Sequence, residues 1–190
     1  MILRTSFPTQ AQFDKADLVV MFLHLPQLST EQYTTFQGFI RRGGGVVAIH
    51  ETAIVRPASE GKKLAECLGM AWDEGRSQWG AIFDDITIDN QHPIFEGFPD
   101  KLWIADEFYW DLNQIDGVRV IGTTLGHNTF SYYDPELRIV LFRAMAWAMR
   151  ESPSPLMPLV FEGITNDEGM VGTTNDMRDW KGKLRAPPEK

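Results

Sequence analysis

The stretch that most limits what this chain can fold into runs from Arg41 to Ala53, Arg-Arg-Gly-Gly-Gly-Val-Val-Ala-Ile-His-Glu-Thr-Ala. Ahead of it Tyr33, Phe36, Phe39 and Ile40 recur at helical spacing and share one face. Ser29 with Gln32 three residues later reads as a capping box that starts this helix. The three glycines stop it, because glycine supplies the left-handed residue that a helix C-terminus commonly uses. Val46-Val47-Ala48-Ile49 is then a short, wholly apolar run, the pattern of a strand buried on both faces. His50 and Glu51 fall where the run ends, and open α/β sheets bind ligands at the carboxyl ends of their strands.

The remainder of the chain builds on that unit. Asp17 to Leu23 reads as a second buried strand, so strand, helix and Val46 strand make a βαβ unit with a parallel, central strand pair. Ile2 to Phe7 reads as a short strand ended by Pro8. A helix from about Ser59 carries Leu64, Cys67 and Leu68 inward and stops at Gly69. Ile82, Asp84, Ile86 and Ile88 outline a strand, and His92 to Pro99 a turn and short helix. Leu102 to Trp110 is an aromatic-rich strand with Asp106 and Glu107 in its midst, and Val118 to Ile121 is another. Asp134-Pro135 opens the last helix as N-cap and first helical residue, with Leu137, Val140, Leu141, Ala144, Met145 and Ala148 on its apolar face. Residues 151–190, polar and rich in Ser, Pro and Gly, read as an extended tail after a domain over 1–150.

A length of 190 residues suits one domain of this size. The formal net charge of −8 opposes an extended phosphate-binding surface, so nucleic acid is not an expected partner. No apolar run reaches the roughly 18–20 residues of a membrane span. No signal peptide is visible at the start given, and a single cysteine, Cys67, fits a reducing compartment, so a cytoplasmic location is expected.

Taken together, the strand Asp17–Phe22, the helix after Ser29, Gly43-Gly44-Gly45 leading to Ala48-Ile49-His50, His92-Pro93 followed by Gly97, Asp106-Glu107-Phe108-Tyr109, Leu125-Gly126-His127 and the closing helix resemble the ThuA-like (trehalose utilisation) domain. The likeness covers roughly residues 15 to 150. It implies an α/β fold, flavodoxin-like and three-layered α/β/α with a mostly parallel sheet, of the class I glutamine amidotransferase-like type. It also implies a link to trehalose-type disaccharides and related sugars. The amidotransferase relatives use a cysteine at a strand-to-helix turn, where this chain has His50, so glutamine hydrolysis is not expected. Relative to the family pattern, an upstream strand and a segment between Thr123 and Thr124 are expected to be missing.

Within this frame His50, Asp106, Glu107 and His127 are the candidate catalytic residues, and Glu51, Tyr109 and Asn128 the candidate sugar-binding ones. Asp106 and Glu107 point to opposite faces of a strand, so one of the two at most is expected beside His50. A histidine both gives and takes protons near neutral pH, which suits isomerising, hydrating or cleaving a sugar or keto-sugar. His50, His127 and one carboxylate also offer three ligands for a divalent metal, although they lack a short ligand spacing. His24 and His92 are weaker candidates, His92 as a turn-former before Pro93. A second reading is a non-catalytic carbohydrate-binding or interaction domain that keeps the fold. Small-molecule carbohydrate is the expected partner in both readings, and homo-oligomerisation is left open.

Overall fold

The structure, a computed structural model, describes residues 6–89 and 91–156. In chain order the elements are α1 (Gln10–Phe13), β1 (Leu18–Met21), α2 (Thr30–Arg41), β2 (Gly45–Ile49), α3 (Ala58–Leu68), β3 (Met70–Ala71), β4 (Gln78–Thr87), β5 (Lys101–Trp110), β6 (Asn113–Gln114), β7 (Ile121–Thr123) and α4 (Pro135–Ala148). β1, β2 and β7 form a parallel sheet with β2 in the middle. Val19 pairs with Val46 on one side, and Val47 with Ile121 on the other.

All five residues of β2 are buried, and their alternation divides the core. Val46 and Ala48 join Phe13, Phe36, Phe39, Leu64, Cys67 and Leu68 under α1, α2 and α3. Val47 and Ile49 join Leu137, Leu141, Ala144 and Ala148 of α4 on the opposite face. Successive strand side chains point to opposite faces, so a run with no polar residue requires a helical layer on each side. The outcome is three layers, α/β/α.

Local chemistry sets the ends of these elements. The Ser29 side chain accepts the Gln32 N–H, and the Gln32 side chain accepts the Ser29 N–H in return, the reciprocal pair that satisfies two free donors of a helix start. Asp134 accepts the N–H of Glu136 at 2.8 Å, with Pro135 as the first helical residue. Between α2 and β2, Gly43 has φ +94°, and a Cβ on Gly45 would lie 2.7 Å from the Ala148 carbonyl oxygen. The glycine run therefore both ends the helix and lets β2 pass directly beneath α4.

β4 and β5 form an antiparallel ribbon of ten pairs, from Gln78 with Trp110 to Thr87 with Lys101. β3 and β6 make a two-residue antiparallel pair that the sequence does not announce. Leu102, Ile104 and Phe108 pack the ribbon against the α4 side of the core.

Three expectations need correction. β1 is shorter than the expected Asp17 to Leu23, and among the described residues it is an edge of this sheet, not a buried central strand. With no neighbour on its outer side among the described residues, Val20 and Phe22 remain 43% and 58% exposed. The strand expected at Val118–Ile121 forms at Ile121–Thr123, because only these residues lie opposite Val47–Ile49. His92 to Pro99 holds turns and no helix, with Ile94 and Phe98 inserted into the core. Most of the expected first strand, Ile2 to Thr5, and nearly all of the tail, from residue 157 onward, lie outside the described residues. No helix among the described residues is long and apolar enough to cross a membrane.

Candidate functional site

Immediately after β2 the backbone turns sharply. His50 has φ +51°, the left-handed region that costs a residue with a Cβ about 1–2 kcal/mol. It opens a single 3-10 turn, His50–Ala53, which aims its ring across the carboxyl end of the sheet. The ring lies at that end, as its position after β2 implies. It is nevertheless only 2% exposed. Tyr109 from β5 stacks on it at 4.9 Å between centroids, and His127 meets it edge-on at 5.1 Å. These two rings roof what would otherwise be an open strand end.

The tautomer of a neutral His50 follows from its surroundings. Nδ1 lies 2.8 Å from the Thr124 carbonyl oxygen. A carbonyl only accepts, so Nδ1 carries the proton and Nε2 carries the lone pair. Around that lone pair converge Tyr109 Oη at 3.0 Å, His127 Nδ1 at 3.1 Å and Glu107 Oε1 at 3.7 Å. Glu107 Oε1 is also 3.7 Å from His127 Nδ1. Burial, followed by a hydrogen bond to Glu107, pushes the Tyr109 phenol well above its ordinary range, so it stays protonated and acts as a donor.

The two adjacent carboxylates of β5 divide the work because a strand sends neighbours to opposite sides. Glu107 goes to the histidines. Asp106, 2% exposed, goes to the 126–128 backbone. Its Oδ2 accepts the Gly126 N–H at 2.6 Å, while Oδ1 accepts the Asn128 N–H at 3.1 Å and the Asn128 amide at 3.0 Å. Gly126 has φ +118°, and a Cβ there would crowd the Tyr132 hydroxyl and lie 2.9 Å from Ile49 Cγ2. Asp106 thus holds the loop that presents His127.

Of the seven residues singled out by sequence, the structure brings together His50, Glu107, His127 and Tyr109. Asp106 and Asn128 meet each other, one step behind that group. Glu51 is apart from it, its carboxylate 3.5 Å from His24 Nδ1 in an exposed pair. His92 shapes a turn, accepting the Ile94 N–H at 3.3 Å. Sequence reasoning missed Phe22 and Tyr132, whose rings lie 6.3 Å apart, Phe22 also 6.3 Å from His50. An aromatic residue, Phe22, directly at the carboxyl end of β1 was the available signal. The Thr124 carbonyl, a backbone group, had none.

The site therefore offers a lone pair, a carboxylate, a phenol that keeps its proton and a half-exposed second imidazole within one small space. His50, Glu107 and His127 together are also the kind of donor set that holds a divalent cation.

A parallel α/β/α sheet with a histidine-and-carboxylate group at its carboxyl end defines the class. The chain belongs to the ThuA family, described as trehalose utilisation, whose model matches residues 4–122. Two crystal structures share the fold. A ThuA-like protein of Bacteroides uniformis is 15% identical with a TM-score of 0.57, and the match covers 77% of this chain and 76% of that one. A ThuA-like protein of Parabacteroides merdae is 18% identical with a TM-score of 0.56, covering 72% and 71%. No curated protein matches the chain.

Proposed function

We propose that this protein is an enzyme of carbohydrate metabolism that moves protons on a sugar or keto-sugar of the trehalose type, and that it does not hydrolyse glutamine. The observation that carries this reading is the meeting of His50, Glu107, His127 and Tyr109 at the carboxyl end of the sheet. Proton transfer beside a carbonyl or hydroxyl requires an acceptor and a donor within reach of the same carbon–oxygen unit. The acceptors are the Nε2 lone pair of His50 and the Glu107 carboxylate. Tyr109 and His127 are the donors, His127 on the solvent side with half of its side chain exposed. The exposed ring of Phe22 beside His50 suits the apolar C–H face of a sugar ring.

The cysteine nucleophile of glutamine-hydrolysing relatives has no counterpart here. Cys67 is fully buried on α3 and its thiol is pushed up to about 11 by burial. The site position after β2 is filled by His50.

The test is a screen of disaccharides, their monosaccharides and their 3-keto derivatives by ligand-induced melting shift, followed by turnover assays on whatever binds. A ligand that is turned over by the parent and at least about 100-fold more slowly by Glu107→Gln supports the reading. Binding without turnover supports a carbohydrate-binding domain that keeps the fold. No shift with any of these sugars removes the carbohydrate reading.

A further inference from the structure

We infer that His50 Nε2, His127 Nδ1 and Glu107 Oε1 form a site for one divalent transition-metal cation, of the kind that takes two imidazoles and one carboxylate. The three atoms are separated by 3.1, 3.7 and 3.7 Å. A tetrahedral ion with bonds of about 2.0–2.1 Å holds its ligands about 3.3–3.4 Å apart, close to this triangle. The point in their plane equidistant from the three atoms lies about 2.0 Å from each, so an ion about 0.5 Å above that plane would have bonds of about 2.1 Å, the length of a bond from zinc to nitrogen or oxygen.

The surroundings prepare these atoms for that role. A ligating histidine commonly donates its other ring N–H to a carbonyl or carboxylate, which fixes its tautomer and its orientation. His50 does so to Thr124, leaving Nε2 as the lone-pair nitrogen that faces the other two donors. The Tyr109 hydroxyl, 3.0 Å from the same His50 nitrogen, stands beside the three atoms as an outer-shell group. Asp106 fixes the backbone on both sides of His127.

Three polar atoms, Tyr109 Oη, His127 Nδ1 and Glu107 Oε1, converge on one nitrogen of a ring that is 2% exposed, and His50 is held at a strained φ to be there. Strain of this kind persists where the surrounding structure over-determines it, which is common at functional sites. Burial is graded across the site: Glu107 is 18% exposed and His127 50%. The open side faces solvent, so a fourth position remains for water or a sugar oxygen. A cation there would polarise a carbonyl or hydroxyl oxygen and lower the pKa of a coordinated water.

This inference rests on the site of the proposed function and changes one role in it, since a cation held by His50 Nε2 and Glu107 Oε1 would take the lone pairs read there as proton acceptors, whichever sugar the protein meets. The test uses the full chain, stripped with chelator and titrated with Co²⁺ alone, following visible d–d absorption, with Zn²⁺ competition and calorimetry alongside. One equivalent should bind per chain. His127→Ala, at a half-exposed position, and the isosteric Glu107→Gln should each weaken binding by about 100-fold or more, beyond the 10–100-fold typical of losing an outer-shell partner. Unchanged far-UV circular dichroism in both variants keeps a folding defect from passing as lost binding. Absence of saturable Co²⁺ binding by the parent overturns the inference, as does undiminished affinity in either folded variant. A sugar screen that fails while Co²⁺ binds leaves the metal site standing. A failed titration with active enzyme leaves His50 as a proton carrier without a metal.

Discussion

Asp106 and Gly126 are twenty residues apart, yet the carboxylate Oδ2 of one accepts the backbone N–H of the other at 2.6 Å. With the Asn128 N–H on the same carboxylate, this fixes the loop that carries His127 against β5. The position of His127 is therefore set in part from β5, far away in sequence.

Asp106→Ala is expected to destabilise the fold by about 3 kcal/mol, since leaving a buried donor without a partner costs about 1–3 kcal/mol, the buried Gly126 N–H loses its acceptor, and the part-buried Glu107 N–H, Asn128 N–H and Asn128 amide lose theirs too. Asp106→Asn keeps an acceptor oxygen and should lose less. Urea midpoints of the parent and both variants give the answer. Equal midpoints for the alanine variant and the parent would show that water replaces the carboxylate at no cost.

Gly126→Ala combines two penalties, a φ of +118° and a Cβ pressed against the Tyr132 hydroxyl and Ile49. A loss of about 1–3 kcal/mol is expected from the backbone conformation alone. Tyr132→Phe removes the hydroxyl without touching φ. The double variant should therefore recover part of the loss and not the whole. Thermal melts of the three variants form the cycle, and a double variant no more stable than Gly126→Ala would place the entire penalty on φ and Ile49.

How much of this was legible beforehand depends on how local each cause is. The capping pair of Ser29 and Gln32, the Asp134-Pro135 start and the glycine-ended α2 are decided within a few residues, and they appear where the sequence placed them. The double-sided burial of Val46–Ile49 followed from composition alone. Alternation along β5 also anticipated that only one of Asp106 and Glu107 would stand beside His50. Non-local causes were hidden. β1 reads as a central strand, but its neighbours decide that, and Val20 and Phe22 are exposed. The roof over His50 comes from Tyr109 and His127, 59 and 77 residues away, so its burial had no trace in the strand-end motif. Glu51, adjacent in sequence to His50, turns away to His24 because the 3-10 turn separates the two side chains.

Cys67 should be nearly inert in the native protein. Burial among Phe36, Phe39 and Leu64 pushes its thiol up to about 11, and the Gln37 amide at 3.4 Å only partly opposes this. A raised acid pKa means the folded state holds the neutral thiol, so this contribution to stability is present below about pH 9 and is lost as pH rises toward about 11. The thiolate is the reactive form, so at pH 8 alkylation should be slower than in the unfolded chain by roughly a hundredfold or more. Iodoacetamide labelling followed by mass spectrometry, with and without denaturant, measures the ratio. Comparable rates in both conditions would contradict the burial.

His50 can be tested for strain and for chemistry with one pair of variants. His50→Ala removes the donor to the Thr124 carbonyl, and losing a buried hydrogen-bond partner costs about 1–3 kcal/mol. It also keeps a Cβ at φ +51°, where only glycine rests without penalty. His50→Gly loses the same hydrogen bond but relieves the backbone, so it should be more stable than His50→Ala by about 1 kcal/mol. That order reverses the usual advantage of alanine over glycine, which makes it diagnostic. If the strain belongs to a functional arrangement, both variants lose turnover alike, by roughly 10²–10⁴-fold on a sugar found in the screen, the range expected for an acid–base group. Chemical denaturation gives the stability order and steady-state kinetics the turnover. An alanine variant more stable than the glycine variant would show that His50 carries no backbone strain, and full activity in either would remove His50 from the chemistry.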